Sequence, residues 1–595
     1  MPDREGKFQH AIDLLNRGKA AEGRVLLEEL HAADPTDAQV RLSLGKLESE
    51  ELRLDRALAL LEPLVHDRAH GLHAATMIVH VLSRAGRLDK AIARAAEFRA
   101  IFPLDPNLAL MAAAAHSSRH NHEDAERLLR EQVAATPHAD VEAALSSALL
   151  NVGRVDEAIA GLKSALGRFP GDVGCLAALA SATNYVTTSR EEGFRIHGAL
   201  ARLVEFAVPV IDPLSYENPP DPDRPLRISL LSADLRAHSV AYFVEAILRH
   251  HDRSRYHITA FSTSAVDDEV TARLRPLADA WRQHTSGSPR LLAREVWTQK
   301  PDIVIELGGL TGGSALPALV PQVAPVQVTA IGYPNTTGFR TVHYRIVDSL
   351  TDPPGEADAF CSEKLVRLDP CFLCFTPRTM RVPAWSASED AVIFGSFNKI
   401  TKYSDECIKA WAELLVRVPG SRLLLKSPAL EGKSVRDHLL KRLAVAGAPV
   451  ERVRLVGKQE AETDHLAMYE QIDLALDTFP YNGTTTTCEA MLMGVPVVTV
   501  EGSTHAGRVG LSLLSAAGFP ELVARTQAEY IDKAAQCAAR VQTLRAERVA
   551  RSRQMLASAL CDGPAYTARW QEAIRWMWRT WCEQKRSRSS PSERR

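Results

Sequence analysis

The densest concentration of chemically useful side chains is the string Leu476-Asp-Thr-Phe-Pro-Tyr-Asn-Gly-Thr-Thr-Thr-Thr-Cys-Glu-Ala-Met491. A short apolar run ends at Asp477, Pro480 and Asn482-Gly483 supply a turn, and a helix is expected to open within Thr484, Thr485, Thr486 and Thr487. A helix start offers unpaired backbone N–H groups and the positive end of the helix dipole. Four hydroxyls gathered there make a phosphate site that needs no metal. Glu489, one turn inside, is placed to accept hydrogen bonds from ribose hydroxyls. The plainer reading is an N-cap, since threonine caps helices. One threonine would serve that purpose, and four in a row after Asn-Gly go beyond it.

Other routes to phosphate or metal chemistry lack their motifs. The sequence has no GxxxxGK[ST], no GxGxxG after a strand and no paired His/Cys spacing for zinc. Asp221-Pro-Asp223 is the only DxD-like string, and it lies in the proline-rich segment Pro219–Pro225. Cys371 and Cys374 form a CxxC with neither a helix start nor a second ligand pair beside it, so ordinary buried thiols are expected. Nine cysteines in 595 residues make no disulfide framework. Neither a metal nor a cofactor is expected.

The elements that must position the threonine string are short β-rich runs alternating with helical stretches. The first set is Leu226–Ser232, Tyr256–Ser262, Asp302–Leu307 and Val326–Ile331, separated by amphipathic stretches such as Val270–Trp281 and Ser288–Gln299. A second set is Val392–Phe397, Arg422–Lys426, Val453–Val456, Leu474–Asp477 and Val495–Val500. Such alternation predicts parallel sheets covered by helices. Two α/β units in sequence place a cleft between two carboxyl-terminal strand edges, where such folds bind ligands. Thr376–Asp390 reads as the connection between them.

The first ~185 residues are built differently. Ala57, Ala91, Ala125 and Ala158 recur at steps of 34, 34 and 33, Gly23 lies 34 before Ala57, and Pro35, Pro103, Pro137 and Pro170 keep the same beat. Gly86-Arg-Leu-Asp-Lys-Ala-Ile92 nearly repeats as Gly153-Arg-Val-Asp-Glu-Ala-Ile159. A period near 34 with small residues at fixed offsets predicts helix-turn-helix repeats of the tetratricopeptide type, about five of them. The small residues let paired helices approach, and proline ends the second helix of a unit. Stacked units form a superhelix with a groove, read as a scaffold for a protein partner or, alternatively, as a dimerisation or structural arm.

Bulk properties narrow the class. The net charge of −2 argues against nucleic acid or an anionic membrane as partner. No apolar run approaches the ~18 residues of a membrane helix, and the N-terminus has no apolar signal core; a cytoplasmic protein is expected. Lys585 to Arg595 reads as a disordered, solvated tail.

The threonine string resembles the donor-binding motif of the family containing protein O-linked N-acetylglucosamine transferase and the plant SPINDLY proteins. Ser232-Ala-Asp-Leu-Arg-Ala-His-Ser239, Pro325-Val-Gln-Val-Thr-Ala-Ile-Gly-Tyr-Pro-Asn-Thr-Thr-Gly338, Phe394-Gly-Ser-Phe-Asn-Lys-Ile-Thr-Lys402 and Met493-Gly-Val-Pro-Val-Val-Thr499 agree. The resemblance spans residues 10 to 580 or so. It implies a GT-B transferase of two Rossmann-like domains behind the repeats, with inverting, metal-independent transfer of a sugar from a nucleotide donor to Ser or Thr of a protein. Lys402 matches the lysine that binds the donor diphosphate, and His238 a catalytic histidine near donor sugar and acceptor. His465 matches a histidine near the nucleotide base, and Tyr333 lies in a loop resembling one that lines the sugar site. Lys399 stands where animal members carry glutamine, Glu462 where they carry lysine, and Gly309-Leu-Thr311 where many relatives read Gly-His-Thr. UDP-N-acetylglucosamine is the favoured donor. The SPINDLY-like strings Cys371–Pro377 and Phe479–Glu489 keep GDP-fucose open, a surface-protein transferase with another donor is a further alternative, and an inactive repeat scaffold is the reading from a different class.

The expected layout is a repeat superhelix over 1–185, a linker over 186–225, an acceptor-side Rossmann-like domain over 226–385 and a nucleotide-sugar domain over 386–565. A C-terminal helix over 566–583 and a disordered tail over 584–595 follow. The expected partners are a protein acceptor in the repeat groove, the nucleotide sugar and a second copy of the chain through the repeats.

Overall fold

The computed structural model describes residues 3–16, 19–51, 53–208, 216–285, 287–378, 381–385, 391–459 and 462–589. The chain divides into two compact units, residues 1–149 with 167–169, and residues 150–166 with 170–595.

The first unit is a run of antiparallel helix pairs: Asp3–Asn16 with Ala20–Ala33, Ala38–Glu50 with Leu54–Leu61, Gly71–Arg84 with Leu88–Ile101, and Pro106–Ser118 with His122–Ala135. The periodic small residues sit where the sequence period requires. Ala57, Ala91 and Ala125 are fully buried, and a Cβ on Gly23 would come within 2.8 Å of Leu15. Asp37 and Asp105 cap the helices that follow them by accepting backbone N–H groups.

The second unit holds two parallel sheets. Strands β1 (Leu226–Ser232), β2 (Tyr256–Ser262), β3 (Ala280–Gln283), β4 (Ile303–Glu306), β5 (Val326–Thr329), β6 (Tyr344–Val347) and β7 (Lys364–Arg367) form the first, in the order 3-2-1-4-5-6-7. Strands β8 (Ile393–Ser396), β9 (Arg422–Lys426), β10 (Val453–Val456), β11 (Leu474–Leu476), β12 (Val497–Val500) and β13 (Val523–Ala524) form the second, in the order 10-9-8-11-12-13. In both, the order reverses beside the first strand. That switch point leaves a crevice beyond the strands' carboxyl ends, the ligand position of open α/β sheets. The inner strands are buried throughout because helices cover both faces.

Several boundaries differ from expectation. Val270–Trp281 is not one helical stretch: a short helix, Glu269–Leu274, leads through a tight turn containing Pro276 into the edge strand β3. The stretch 186–225 contains the 18-residue helix Arg190–Ala207, whose Ile196, Leu200 and Ala201 are buried. Its spaced apolar residues were outweighed in the sequence by the proline-rich Pro219–Pro225 that follows. The compact division also falls at residue 150, not 185, because the last repeat is built into the sheet unit. Thr401 Oγ1 donates to the carbonyl of Leu150 at 2.8 Å, and Gly153 lies against Ile400 so closely that a Cβ would approach it to 3.2 Å.

The C-terminal helix is longer than expected, Gly563–Ser589, and covers residues 584–589 of the stretch read as a tail; 590–595 lie outside the described residues. It crosses back over the first sheet domain. Thr567 Oγ1 donates to Ala246 O, Trp578 Nε1 to Asp221 O, and Arg579 pairs with Asp223. The Asp-Pro-Asp string therefore anchors this helix. Cys371 and Cys374 are buried free thiols, as expected. Part of the Thr376–Asp390 connection, residues 379–380 and 386–390, lies outside the described residues.

Candidate active site

The switch point of the second sheet assembles most of the candidate residues. From β8 the chain passes through Asn398 and Lys399 into the tight turn Ile400–Lys402, then into helix Asp405–Arg417. From β11 it passes through Asp477 and the turn to helix Thr485–Leu492. The two exits are tied together. Lys402 Nζ donates to the carbonyl of Asn482 at 2.6 Å, Ser404 Oγ donates to Phe479 O at 2.7 Å, and Thr486 Oγ1 donates to Asn398 Oδ1 at 3.0 Å.

Asp477 organises the turn from below. Its Oδ1 accepts the N–H groups of Thr478 (2.8 Å) and Gly483 (2.6 Å), and its Oδ2 accepts from Thr499 Oγ1 at 2.7 Å. Burial raises its carboxyl to about 6. Glycine is required at 483: a Cβ there would lie 2.7 Å from Thr486 Oγ1 and Thr487 Oγ1. Asn482, fully buried, fixes the turn by donating to Thr478 O and accepting from Gly510 N.

The helix start is not an ordinary cap. Thr484 occupies the N-cap position without a side-chain cap bond, and Thr485 Oγ1 is buried with no hydrogen-bond partner. Thr486 is spent on Asn398, and Thr487 is 2% exposed. The hydroxyls therefore leave the first-turn N–H groups uncapped by side chains, the condition for receiving an anion.

Lys402 faces this start. Its ammonium lies 3.9 Å from the Tyr481 ring centroid, and burial lowers its pKa to about 7, opposed by the carboxylate of Asp477. An incoming anion restores the charge that burial suppresses. Lys399 is exposed, and its charge lowers the proton affinity of both Lys402 and His238, which places it between the two sheets' contributions.

His238 comes from the other switch point, where β1 ends. It caps helix Ser239–His250, its Nδ1 accepting from Val240 N at 3.3 Å. That leaves the proton of the neutral ring on Nε2. Asp234 lies 3.5 Å from Nδ1, and Arg378 Nη2 donates to the His238 carbonyl at 2.5 Å. Burial lowers its pKa, opposed by Asp234 and reinforced by Arg236, Lys399 and Arg378, so the ring is neutral at pH 7 and presents Nε2–H as a donor. Glu306, at the end of β4, is 1% exposed. It accepts from Gly308 N at 2.9 Å and Gly309 N at 2.7 Å, and burial raises it to about 7. It pins the Gly308-Gly309-Leu310-Thr311 loop.

His465 and Glu489 meet each other. Lys426 Nζ donates to His465 Nδ1 at 2.5 Å, so the ring proton sits on Nε2 and is donated to Glu489 Oε2 at 2.8 Å. Tyr469 Oη also donates to Glu489 at 3.3 Å. Glu489 thus orients His465 through Oε2, which accepts from both His465 and Tyr469. The Glu462 side chain lies outside the described residues.

Tyr333 is anchored through its hydroxyl. Its hydroxyl bonds to His197 Nε2 at 2.8 Å and receives Asn184 Nδ2 at 3.1 Å, and its ring packs where a Cβ on Gly309 would come within 2.1 Å. Two partners, one from the last repeat and one from helix Arg190–Ala207, hold the hydroxyl and fix the loop after β5 against them. Sequence reasoning did not single out Asn398, Lys426, Glu306 or Tyr481. A polar residue closing a buried apolar strand marks Lys426 and Glu306. Asn398 and Tyr481 lie inside motif strings, without a signal of their own. Among the described residues there is no group of three or more metal-ligating side chains, and no helix is long and apolar enough to cross a membrane.

Comparison with known proteins gives consistent findings. The model of glycosyl transferase family 41 matches residues 197–383 and 377–570. The chain is 40% identical over 376 residues to the Arabidopsis thaliana protein named "Probable UDP-N-acetylglucosamine--peptide N-acetylglucosaminyltransferase SPINDLY", covering 62% of this chain and 41% of that one. It is 28% identical over 359 residues to the SEC protein of the same plant, which carries the corresponding transferase name, covering 58% of this chain and 36% of that one. The chain thus spans less than half the length of these curated relatives. A mutant O-GlcNAc transferase from Thermobaculum terrenum superposes with a TM-score of 0.79 at 33% identity, covering 86% of this chain and 98% of that chain.

Proposed function

Because this chain belongs to glycosyl transferase family 41, we propose that it transfers a sugar from a nucleotide donor to Ser or Thr hydroxyls of a protein, with inversion and without a metal. The observation that carries this is the meeting of Lys402 with the uncapped helix start at Thr484–Thr487 across the β8–β11 switch point. UDP-N-acetylglucosamine is the donor we favour, in line with the names that these relatives carry. The SPINDLY-like strings, and an identity to SPINDLY of 40% against 28% to SEC, support GDP-fucose as the second reading.

In this reading the helix start and Lys402 hold the diphosphate. Negative charge grows on that group as the glycosidic bond breaks, and fixed donors favour the transition state over the ground state. The lowered pKa of Lys402 is the cost of holding an ammonium away from water before the donor arrives; the diphosphate reverses it. Lys399 adds charge at the mouth. Lys426, His465 and Glu489 form a fixed chain beside the nucleoside, with the His465 ring oriented through both nitrogens. His238, neutral and half-buried, stands on the acceptor side, where its Nε2–H donates to the attacking hydroxyl oxygen and orients it. The repeats present the acceptor protein. In this scheme the chain works in the cytoplasm, without a cofactor, and assembles as a homodimer through the repeats.

The test is thermal stabilisation of the purified chain by UDP, GDP, UDP-N-acetylglucosamine and GDP-fucose with a chelator present, followed by transfer of labelled sugar to a protein acceptor. Stabilisation by uridine compounds alone supports the favoured donor, and stabilisation by guanosine compounds alone moves the reading to fucose. No shift with any of the four, or a shift abolished by chelation, overturns the proposal.

A further inference from the structure

A second polar pocket lies away from the β8–β11 crevice. Its polar lining includes Ser189, Arg190, Asn335, Arg345, Thr504 and His505 together with the carboxylate of Asp352, and none of Lys402, Asn398 or the four threonines. Arg345, on β6, is 5% exposed. Among the described residues this guanidinium has only the sulfur of Cys361 as a hydrogen-bond partner and the carboxylate of Asp352 at 4.0 Å. Its Nη2 is buried with no partner at all. Guanidinium groups offer five donors, and buried ones are ordinarily matched by acceptors.

The neighbouring acids do not supply them. Asp352 spends one oxygen on Arg190 Nη1 at 2.7 Å and the other on His505 Nδ1 at 2.5 Å. Glu363 is engaged by Thr336, Thr337 and Cys361. The same cavity receives the N-terminus of helix Arg190–Ala207, capped by Ser189, and Arg190 Nε also lacks a hydrogen-bond partner. A helix dipole, a buried guanidinium whose Nη2 has no hydrogen-bond partner and hydroxyl donors converge on one space.

We infer that this cavity is a second oxyanion site, for a phosphate group, separate from the nucleotide-sugar cleft. Arg345 provides the bidentate contact, and Ser189, Asn335 and Thr504 provide more donors than the two oxygens of a carboxylate would use.

The experiment titrates the full chain with inorganic phosphate, and separately with O-phosphoserine, at constant ionic strength against chloride, reading the unfolding temperature. Phosphate is expected to raise it in the wild type and in Lys402→Ala, and to leave Arg345→Met unchanged. Arg345→Met removes a buried charge and can unfold the chain. Thr504→Asp, at the partly exposed edge, is therefore the second variant, expected to abolish the response with circular dichroism unaltered. Stabilisation by both probes supports the site and identifies a phosphate monoester as its ligand; stabilisation by phosphate alone supports it and identifies the free anion. A response lost in Lys402→Ala would place the phosphate in the donor cleft. That result, a response retained in both cavity variants, or none in the wild type, overturns the inference.

Discussion

Lys402 Nζ and the carbonyl of Asn482 are 2.6 Å apart, a hydrogen bond that joins the loop after β8 to the loop after β11. It crosses the switch point of the second sheet and holds the ammonium over the Tyr481 ring. Two loops 80 residues apart in sequence therefore present one cation to one helix start. The consequences of this arrangement and its neighbours are open to measurement.

Replacing Lys402 by Ala removes the buried cation but leaves both strands intact. Turnover is expected to fall by about 100-fold or more, the magnitude typical of losing one transition-state charge donor, with the unfolding temperature held within a few degrees. Steady-state kinetics beside a melting curve read both, and near-normal kcat would remove Lys402 from its role.

The lowered pKa of Lys402 gives donor binding a direction with pH. The free lysine titrates at about 7, and a bound diphosphate raises that value, so binding above pH 7 takes up a proton. Nucleotide diphosphate Kd is therefore expected to rise with pH above 7, by up to about tenfold per unit for one linked proton, and to flatten below it. Calorimetric titration at several pH values checks this. Lys402→Met should lose the slope, and a wild-type Kd that is flat from pH 7 to 9 contradicts the assignment.

Gly483→Ala places a Cβ within 2.7–2.9 Å of Thr486 Oγ1, Thr487 Oγ1 and Asp477 Oδ1. Overpacking of this kind costs roughly 1–3 kcal/mol, and here it also displaces the helix start. Denaturant midpoints should fall and nucleotide affinity should weaken together. Unchanged affinity would show that the turn's shape is immaterial to binding.

Tyr333→Phe deletes the hydroxyl shared by His197 and Asn184. A loss of about 1–3 kcal/mol of stability is expected from the stranded buried partners, with kcat and donor KM per folded molecule unchanged. A raised donor KM at unaltered stability would instead place the Tyr333 hydroxyl against the donor sugar.

Removing residues 1–149 is expected to lower transfer to whole proteins more than donor hydrolysis, because the sheet unit keeps its last repeat. Removing 1–185 deletes Leu150, Gly153 and Asn184, which contact Thr401, Ile400 and Tyr333, and both activities should collapse. Equal loss of the two activities in the shorter deletion would leave the repeats a purely structural arm.

Local pattern was enough for much of this protein. The 34-residue period put Ala57, Ala91 and Ala125 at helix contacts because a close helix approach tolerates only small side chains, and Leu226–Ser232, Tyr256–Ser262 and Arg422–Lys426 were read to the residue because buried strands are continuous apolar runs. The threonine string marked the helix start at Thr485, since turn and cap chemistry is local. Tertiary structure alone decided which groups face each other. It turned the Tyr333 hydroxyl toward His197, closed Glu489 onto His465 and Lys426 onto the other side of that ring, and left Nη2 of Arg345 buried without a hydrogen-bond partner. It also moved the division between units to residue 150. Each of these depends on the direction in which a side chain leaves its element and on partners brought from distant sequence. Hydrophobic periodicity reports burial, and carries no record of which polar atom is met inside.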